Sequence, residues 1–226
     1  MMDKFQQKLG RLEYKYGRYA IHNLMIYICS TMLAIYFLQY LIGVPIVNWI
    51  TLYRPAILHG QLWRLVTFLF VPPGNSPVWL LFSLYFYYFI GNALEQHWGA
   101  FRFNLYYLSG MLFAIAAGMI TGAGTAEYLN LSLFLAFAQL FPDTEFLLFF
   151  FLPIKAKWLA WLNWGLFALQ FLVGGLSIKV TILFAIGNFM LFFGKDMIDG
   201  IRYRSKYRSN QINFRKAMRD RDRRDR

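Results

Sequence analysis

Long, nearly uninterrupted apolar runs constrain this chain more than any other feature. One of them reads LMIYICSTMLAIYFLQYLIG, and similar runs recur along the sequence. About 20 such residues are enough to cross the hydrocarbon core of a bilayer. Inside lipid, every backbone N–H and C=O must find a partner within the protein. Only helices and closed barrels achieve that. The runs lack the alternating pattern that a lipid-facing barrel strand needs. The expected fold class is therefore all-α, a polytopic membrane protein. Composition agrees: 58% of residues are hydrophobic and 15% charged, against roughly 25% charged in soluble domains.

Six spans are expected, at about 22–43, 77–95, 101–121, 129–141, 157–173 and 178–194. Glycine and proline set most of the ends: Gly43 and Pro45, Pro77, the TGAG stretch, Pro142, Gly174 with Gly175, and Gly194. The fourth span is short. Three regions follow: a basic N-terminal segment at 1–21, a membrane domain at 22–194, and a basic tail at 195–226. The N-terminus does not read as a cleavable signal, because its charged part and its apolar run are both too long.

Charge gives an orientation. The formal net charge of +12 is concentrated at the two ends. With six spans both termini share a side, and an excess of Lys and Arg marks that side as cytoplasmic. Arg102, Lys155 and Lys157 fall in loops on the same side. The loop at about 44–76 is long yet rich in Trp, Leu, Ile and Phe. It is expected to form interfacial helices, with Trp49, Tyr53 and Trp63 at headgroup depth. The single cysteine, Cys29, allows no internal disulfide and reads as a small buried hydrophobe. The lone cysteine and the absence of an organelle signal point to the bacterial plasma membrane.

Three stretches carry a resemblance: GQLWRLVTFLFVPP, IGNALEQHWGAFRFNLYYLSG and AQLFPDTEFLLFFFLPIKAKWLA. Together they resemble the rhomboid superfamily over roughly residues 20 to 195. Trp63-Arg64 matches a Trp-Arg pair in the family's first loop. Glu95, Gly99 and Phe103, with Arg102 beside them, match its Glu-x-x-x-Gly-x-x-x-Phe pattern. The resemblance implies a six-helix rhomboid-like bundle. In active members it also implies a serine in span four, within Gly-x-Ser-Gly, and a histidine in span six. A His and an Asn in span two help hold the oxyanion.

None of those catalytic types stands at the matching positions. The Gly-x-Ser-Gly place reads TAEY at 125–128, the span-two positions are Trp79 and Ser83, and the span-six histidine position is Ala185. Serine needs a base to take its proton. The chain has three histidines, His22, His59 and His97, all outside span six. Lys179 sits at the start of span six, where it would snorkel toward headgroups. Ser132 is the only weak catalytic candidate. Its ordinary role in a membrane helix is to bond a nearby carbonyl or a neighbouring helix. No enzymatic activity is expected.

The remaining polar residues suit structural roles. Glu95 and Arg102 are expected to form a partly buried pair or hydrogen-bonded turn, and Trp63-Arg64 to brace the first loop. Asn130, Gln139, Asn163, Gln170 and Asn188 are expected to face the bundle. Gly187 and Asn188 are the expected close contact of the last span. No cofactor is expected, since no metal-ligand spacing, phosphate loop or dinucleotide fingerprint is present. The tail should meet anionic lipid headgroups. Nucleic acid is not an expected partner, because the tail is tethered at the membrane.

The resemblance thus implies a catalytically inactive member of the superfamily, a pseudoprotease. Like inactive relatives such as derlins, it would bind or handle transmembrane segments of client proteins. Two rivals stay open: an intramembrane serine protease with an atypical site, and a small membrane transporter. Ion or proton coupling would call for intramembrane charge, and these spans hold almost none.

Overall fold

The computed structural model describes residues 4–43, 45–74, 76–148 and 152–194. The basic tail at 195–226, and any lipid contact it makes, lies outside the described residues. The apolar runs expected to be spans are helical. Helix α1 is Lys4–Tyr16, followed by a 3-10 turn at Gly17–Tyr19 and helix α2, Leu24–Ile42. The first loop holds three short helices, α3 (Ile46–Ile50), α4 (Arg54–Leu58) and α5 (Arg64–Thr67). Then come α6 (Pro77–Trp98), α7 (Ala100–Thr121), α8 (Glu127–Leu140) and α9 (Ala156–Val173). The last helix, α10, is Leu176–Gly194. Residues Met1–Phe189 form one compact unit; of the second, Met190–Arg226, only 190–194 at the end of α10 are described.

Among the described residues, four helices are long and apolar enough to cross a membrane: α2, α6, α7 and α10. Helix α8 has 14 residues, about 21 Å at 1.5 Å per residue, short of the roughly 30 Å core. Helix α9 has 18 residues but carries Lys157, Asn163, Gln170 and three tryptophans. By length and composition, then, four of the six expected spans qualify among the described residues.

Gly99 is the hinge between the two 22-residue helices α6 and α7. Its φ of +84° closes α6 through an N–H bond to the Glu95 carbonyl and redirects the chain at once into α7. A side chain at that φ would be strained. The turn after α7 was not foreseen. Leu52–Tyr53 (β1) pairs antiparallel with Ala123–Gly124 (β2), and the Arg54 N–H extends the ladder to the Gly122 carbonyl at 2.9 Å. This pins the first loop to the α7–α8 turn. A second hairpin, Glu145–Leu148 (β3) with Leu152–Lys155 (β4), joins α8 to α9. The sequence around both strands is apolar without clear alternation, so the strands at Glu145–Leu148 and Leu152–Lys155 were hidden in a helix-like composition. Phe146 of β3 packs its ring near Phe86, Phe89 and Phe137.

Helix α8 is the centre of the packing, with nine of its 14 residues buried. It packs against α6, α7 and α9. Where Gly110 of α7 faces it, a Cβ would run into Leu129 Cδ1 and stand 2.8 Å from Asn188 Nδ2. Lipid tails are as apolar as leucine, so such close van der Waals contact is what holds membrane helices together.

Candidate functional site

The residues matched to a catalytic centre do not assemble one. Ser132 lies on the inner face of α8 with no exposed surface. Its Oγ shares a 2.8 Å hydrogen bond with the Tyr106 hydroxyl, which also donates to the Ser132 carbonyl at 3.1 Å. Ala185, at the expected histidine position, lines the same space with Thr125, Tyr128 and Asn188. That space amounts to about 10 Å³, room for one water at most. His59 is far from this arrangement in its bonding: its Nδ1 lies 2.7 Å from the Pro55 carbonyl and the bond is exposed. His97 packs its ring on Phe141. Among the described residues, no group of three His, Cys, Asp or Glu side chains could hold a metal ion.

The first-loop pair has a built geometry. Arg64 is 6% exposed. Its Nη1 donates to the carbonyls of Asn48 and Thr51, both at 2.8 Å, and its Nε donates to Gln61 Oε1 at 2.7 Å. Asn48 and Thr51 belong to α3 and its C-cap, whose free carbonyls attract a cation. Trp63 Nε1 donates to the Trp49 carbonyl at 3.3 Å, and Thr67 Oγ1 to that of Ile50 at 3.1 Å. Trp49, Tyr53 and Trp63 are each more than half exposed. The bonds of Arg64 hold α5 onto α3, as a brace would.

The expected Glu95–Arg102 pair is not formed. Arg102 Nε instead donates to Glu13 Oε2 of α1 at 2.9 Å. Glu95 Oε1 accepts the backbone N–H of Asn23 at 2.7 Å. Asn23 is in the left-handed region, φ +55°, at the N-terminus of α2. A carboxylate is favoured there because the helix start leaves N–H groups unpaired. Sequence spacing placed the two charges on one turn but could not show that the N-terminal segment returns to claim both. Phe103, the third member of the pattern, is fully buried.

Gly187 also departs from expectation. A Cβ there would meet nothing within 4 Å. Its neighbour Asn188, 1% exposed, does make a close contact: its Oδ1 accepts from Ser109 Oγ at 2.7 Å, and Phe184 and Phe189 of α10 add ring contacts to Phe113 and Trp164. Asn130 and Asn163 are buried as expected, while Gln139 and Gln170 are exposed. The Gln170 Oε1 accepts from the Tyr128 hydroxyl at 3.3 Å.

The feature that sequence reading missed is a cavity of about 620 Å³ between α6, the start of α8 and α9. Its walls are mostly apolar: Phe82, Phe86, Phe134, Leu159, Leu162 and Leu166. Trp79 and Ser83, matched above to the span-two His and Asn, also line it, as do Tyr87, Thr125, Glu127, Asn130 and Asn163. The rim is open, since Trp79, Phe82, Leu162 and Leu166 are 42–59% exposed. Volume and lining suit a ligand of several side chains' size. The only signal in the sequence was the set of isolated polar residues in apolar helices.

The fold defines a class: a helical, multi-pass integral membrane protein. The chain belongs to the family described as eukaryotic integral membrane protein (DUF1751), whose pattern it matches over residues 26–193. No curated protein matches it significantly. The family assignment overturns the expected bacterial plasma membrane. One half-buried cysteine and a positive-inside bias are compatible with any membrane, so neither carried that information.

Proposed function

We propose that this chain is a catalytically inactive, rhomboid-like protein that binds or handles transmembrane segments of client proteins within a eukaryotic membrane. On this reading all six apolar helices lie in the bilayer, with both termini cytoplasmic. The short α8 needs no lipid-spanning length because α6, α7 and α9 enclose it. The exposed face of α9, with Trp158, Trp161, Leu162, Leu166 and Leu169, suits contact with lipid or an incoming helix.

The observation that carries the reading is the cavity between α6 and α9. Helix α9 packs on α8 and β4 and meets α10 through Trp164 and Phe189, while its approach to α6 is free of extensive contact. An apolar recess with an open rim, set between membrane helices, offers a place for one face of another helix. The reading of Ser132 as structural is supported by its enclosure and by Tyr106 as its partner.

A photocrosslinker at Leu162 tests the proposal. Transmembrane segments should be captured from that position well above the level seen from Leu41, exposed on α2. Equal capture from the two positions would remove the cavity's special role.

A further inference from the structure

The N-terminal segment carries two parallel stripes. Basic residues recur at positions 4, 8, 11, 15 and 18, and apolar or aromatic ones at 5, 9, 12, 16 and 19. Each series steps by four, three, four and three, the spacing that keeps side chains on one face of a helix. The segment is helical over Lys4–Tyr16 and closes in the 3-10 turn Gly17–Tyr19.

The protein uses a different face of this helix. Glu13, the only acidic residue of 4–19, turns to α7, where Arg102 Nε donates to its Oε2 at 2.9 Å. The chain that follows is held in the same place. Asn104 Nδ2 donates to the Ile21 carbonyl at 3.1 Å, and Glu95 Oε1 accepts the Asn23 N–H. These bonds come from the last turn of α6 and the first residues of α7. They fix α1 at the level where α2, α6 and α7 have their ends. Leu12, Tyr16 and Tyr19 of the apolar stripe stay exposed, and so do Arg11, Lys15 and Arg18 of the basic one. Arg18 Nη2 donates to the Tyr19 hydroxyl at 2.6 Å, and Lys15 Nζ stands 5.3 Å from the centre of the Tyr16 ring, which ties the stripes together. Among the described residues, no ion pair engages Arg11, Lys15 or Arg18.

An apolar stripe left bare beside a row of unpaired cations, at the ends of membrane helices, is the pattern of a helix lying in the membrane interface. Charge selects the lipid. A second copy of the chain would bring like charges together, and a zwitterionic headgroup has no net charge to offer. An anionic phospholipid has one, and a guanidinium takes its phosphate in bidentate fashion.

We propose that α1 is an in-plane membrane helix whose Arg11, Lys15 and Arg18 dock anionic phospholipid headgroups, with Leu12, Tyr16 and Tyr19 seated at the acyl boundary beside them. This inference rests on the membrane-spanning reading of α2 and is independent of client binding.

The test uses the full chain with Cys29→Ala and a fluorophore on Leu12→Cys, in phosphatidylcholine vesicles. The quenchers are traces of phosphatidylserine or phosphatidylcholine, each with a nitroxide on its acyl chain near the glycerol. The phosphatidylserine label should quench about five-fold more strongly, the enrichment that about 1 kcal/mol of attraction gives. High salt should bring the ratio toward one. Arg11→Gln, Lys15→Gln and Arg18→Gln together should bring it near one while quenching by the phosphatidylcholine label persists, which shows that the helix still lies in the interface. Arg11→Lys with Arg18→Lys should keep it well above one.

Equal quenching by both labels in the native chain would overturn the anionic-lipid role and leave the basic row to a soluble acidic partner. A ratio untouched by the triple substitution would assign the enrichment to another basic segment, with the same result. No quenching at position 12, with quenching kept for a fluorophore on Leu41→Cys of α2, would show that α1 stands off the bilayer and overturn the in-plane placement. No quenching at either position would overturn the spanning reading of α2 and the proposal with it.

Discussion

Two asparagines in this bundle each have a buried Nδ2 without a partner, Asn163 and Asn188, and replacing them with leucine should change stability in opposite directions. At Asn163 the substitution removes an unpaired donor from the wall of an open cavity of about 620 Å³, so the larger side chain has somewhere to go. Relief of an unsatisfied buried donor is worth about 1–3 kcal/mol. The lower end applies in a bilayer, where unfolded helices also find partners. A gain of about 1 kcal/mol is roughly a five-fold change in the folding equilibrium. At Asn188 the side chain is 1% exposed, accepts from Ser109, and lies against Gly110. Leucine there loses the bond, about 0.6 kcal/mol, and overfills the site at a cost of about 1–3 kcal/mol. SDS titration in mixed micelles, followed by tryptophan fluorescence, should raise the unfolding midpoint for Asn163→Leu and lower it for Asn188→Leu. If Asn163→Leu destabilises as much as Asn188→Leu, the amide is a structural member of the bundle and the reasoning fails.

Other outcomes follow from single contacts. Gly110→Ala should cost about 1–3 kcal/mol through its clash with Leu129, whereas Gly187→Ala should gain roughly 0.5–1 kcal/mol because its space is open; the same titration separates them. Arg64→Ala should loosen the first loop, since its loss strands the carbonyls of Asn48 and Thr51, and limited proteolysis between 44 and 76 should accelerate several-fold. Ser132→Ala should cost about 1 kcal/mol for the lost bond to Tyr106 and leave fluorophosphonate labelling at background, as in the native chain; labelling that the substitution abolished would revive the protease reading. Asp143 is bonded by Lys157 at 3.0 Å, with Lys155 at 3.6 Å, and the Lys157 bond holds its carboxyl below the ordinary aspartate range. Its contribution is present above the unfolded aspartate pKa, near 4, and is lost as pH falls through the lower folded value. The pH dependence of stability should therefore flatten below about pH 4 in Asp143→Asn relative to the native chain, and high salt should shrink the difference.

Helix positions were legible in the sequence because apolar runs and Gly/Pro punctuation are local signals. Gly43 and Pro77 marked their boundaries directly, whereas Gly99 entered only through the family pattern. Contacts across long sequence distances were not legible. Glu13 reaching Arg102 and Asn23 reaching Glu95 depend on the N-terminal segment folding back, and no local pattern encodes that. The β1–β2 ladder joins two-residue strands about 70 positions apart, too short to show a period. Burial was half legible: the three short asparagines Asn130, Asn163 and Asn188 turned inward, while Gln139 and Gln170 did not. One further methylene lets a glutamine reach out from a helix face where an asparagine is held closer to its own backbone.

On the client-binding reading proposed above, the placement of the polar residues suits contact with another helix. Ser132, Tyr106, Ser109 and Asn188 form a group linked by bonds of 2.7–3.1 Å, deep in the bundle and nearly without free volume. A substrate would have to break that group apart to reach the hydroxyl. Ser83, Asn130 and Asn163 are also buried, yet they line the space that is open. The polar groups lining the open recess are amides, hydroxyls and the Glu127 carboxylate, which can hydrogen-bond an incoming helix, whereas the Ser132 alcohol is enclosed. Enlarging the small space, for example with Tyr128→Ala, should leave capture of transmembrane segments from the Leu162 position unchanged. Loss of that capture would mean that the two polar groups act as one site, and that the division between scaffold and recess is wrong.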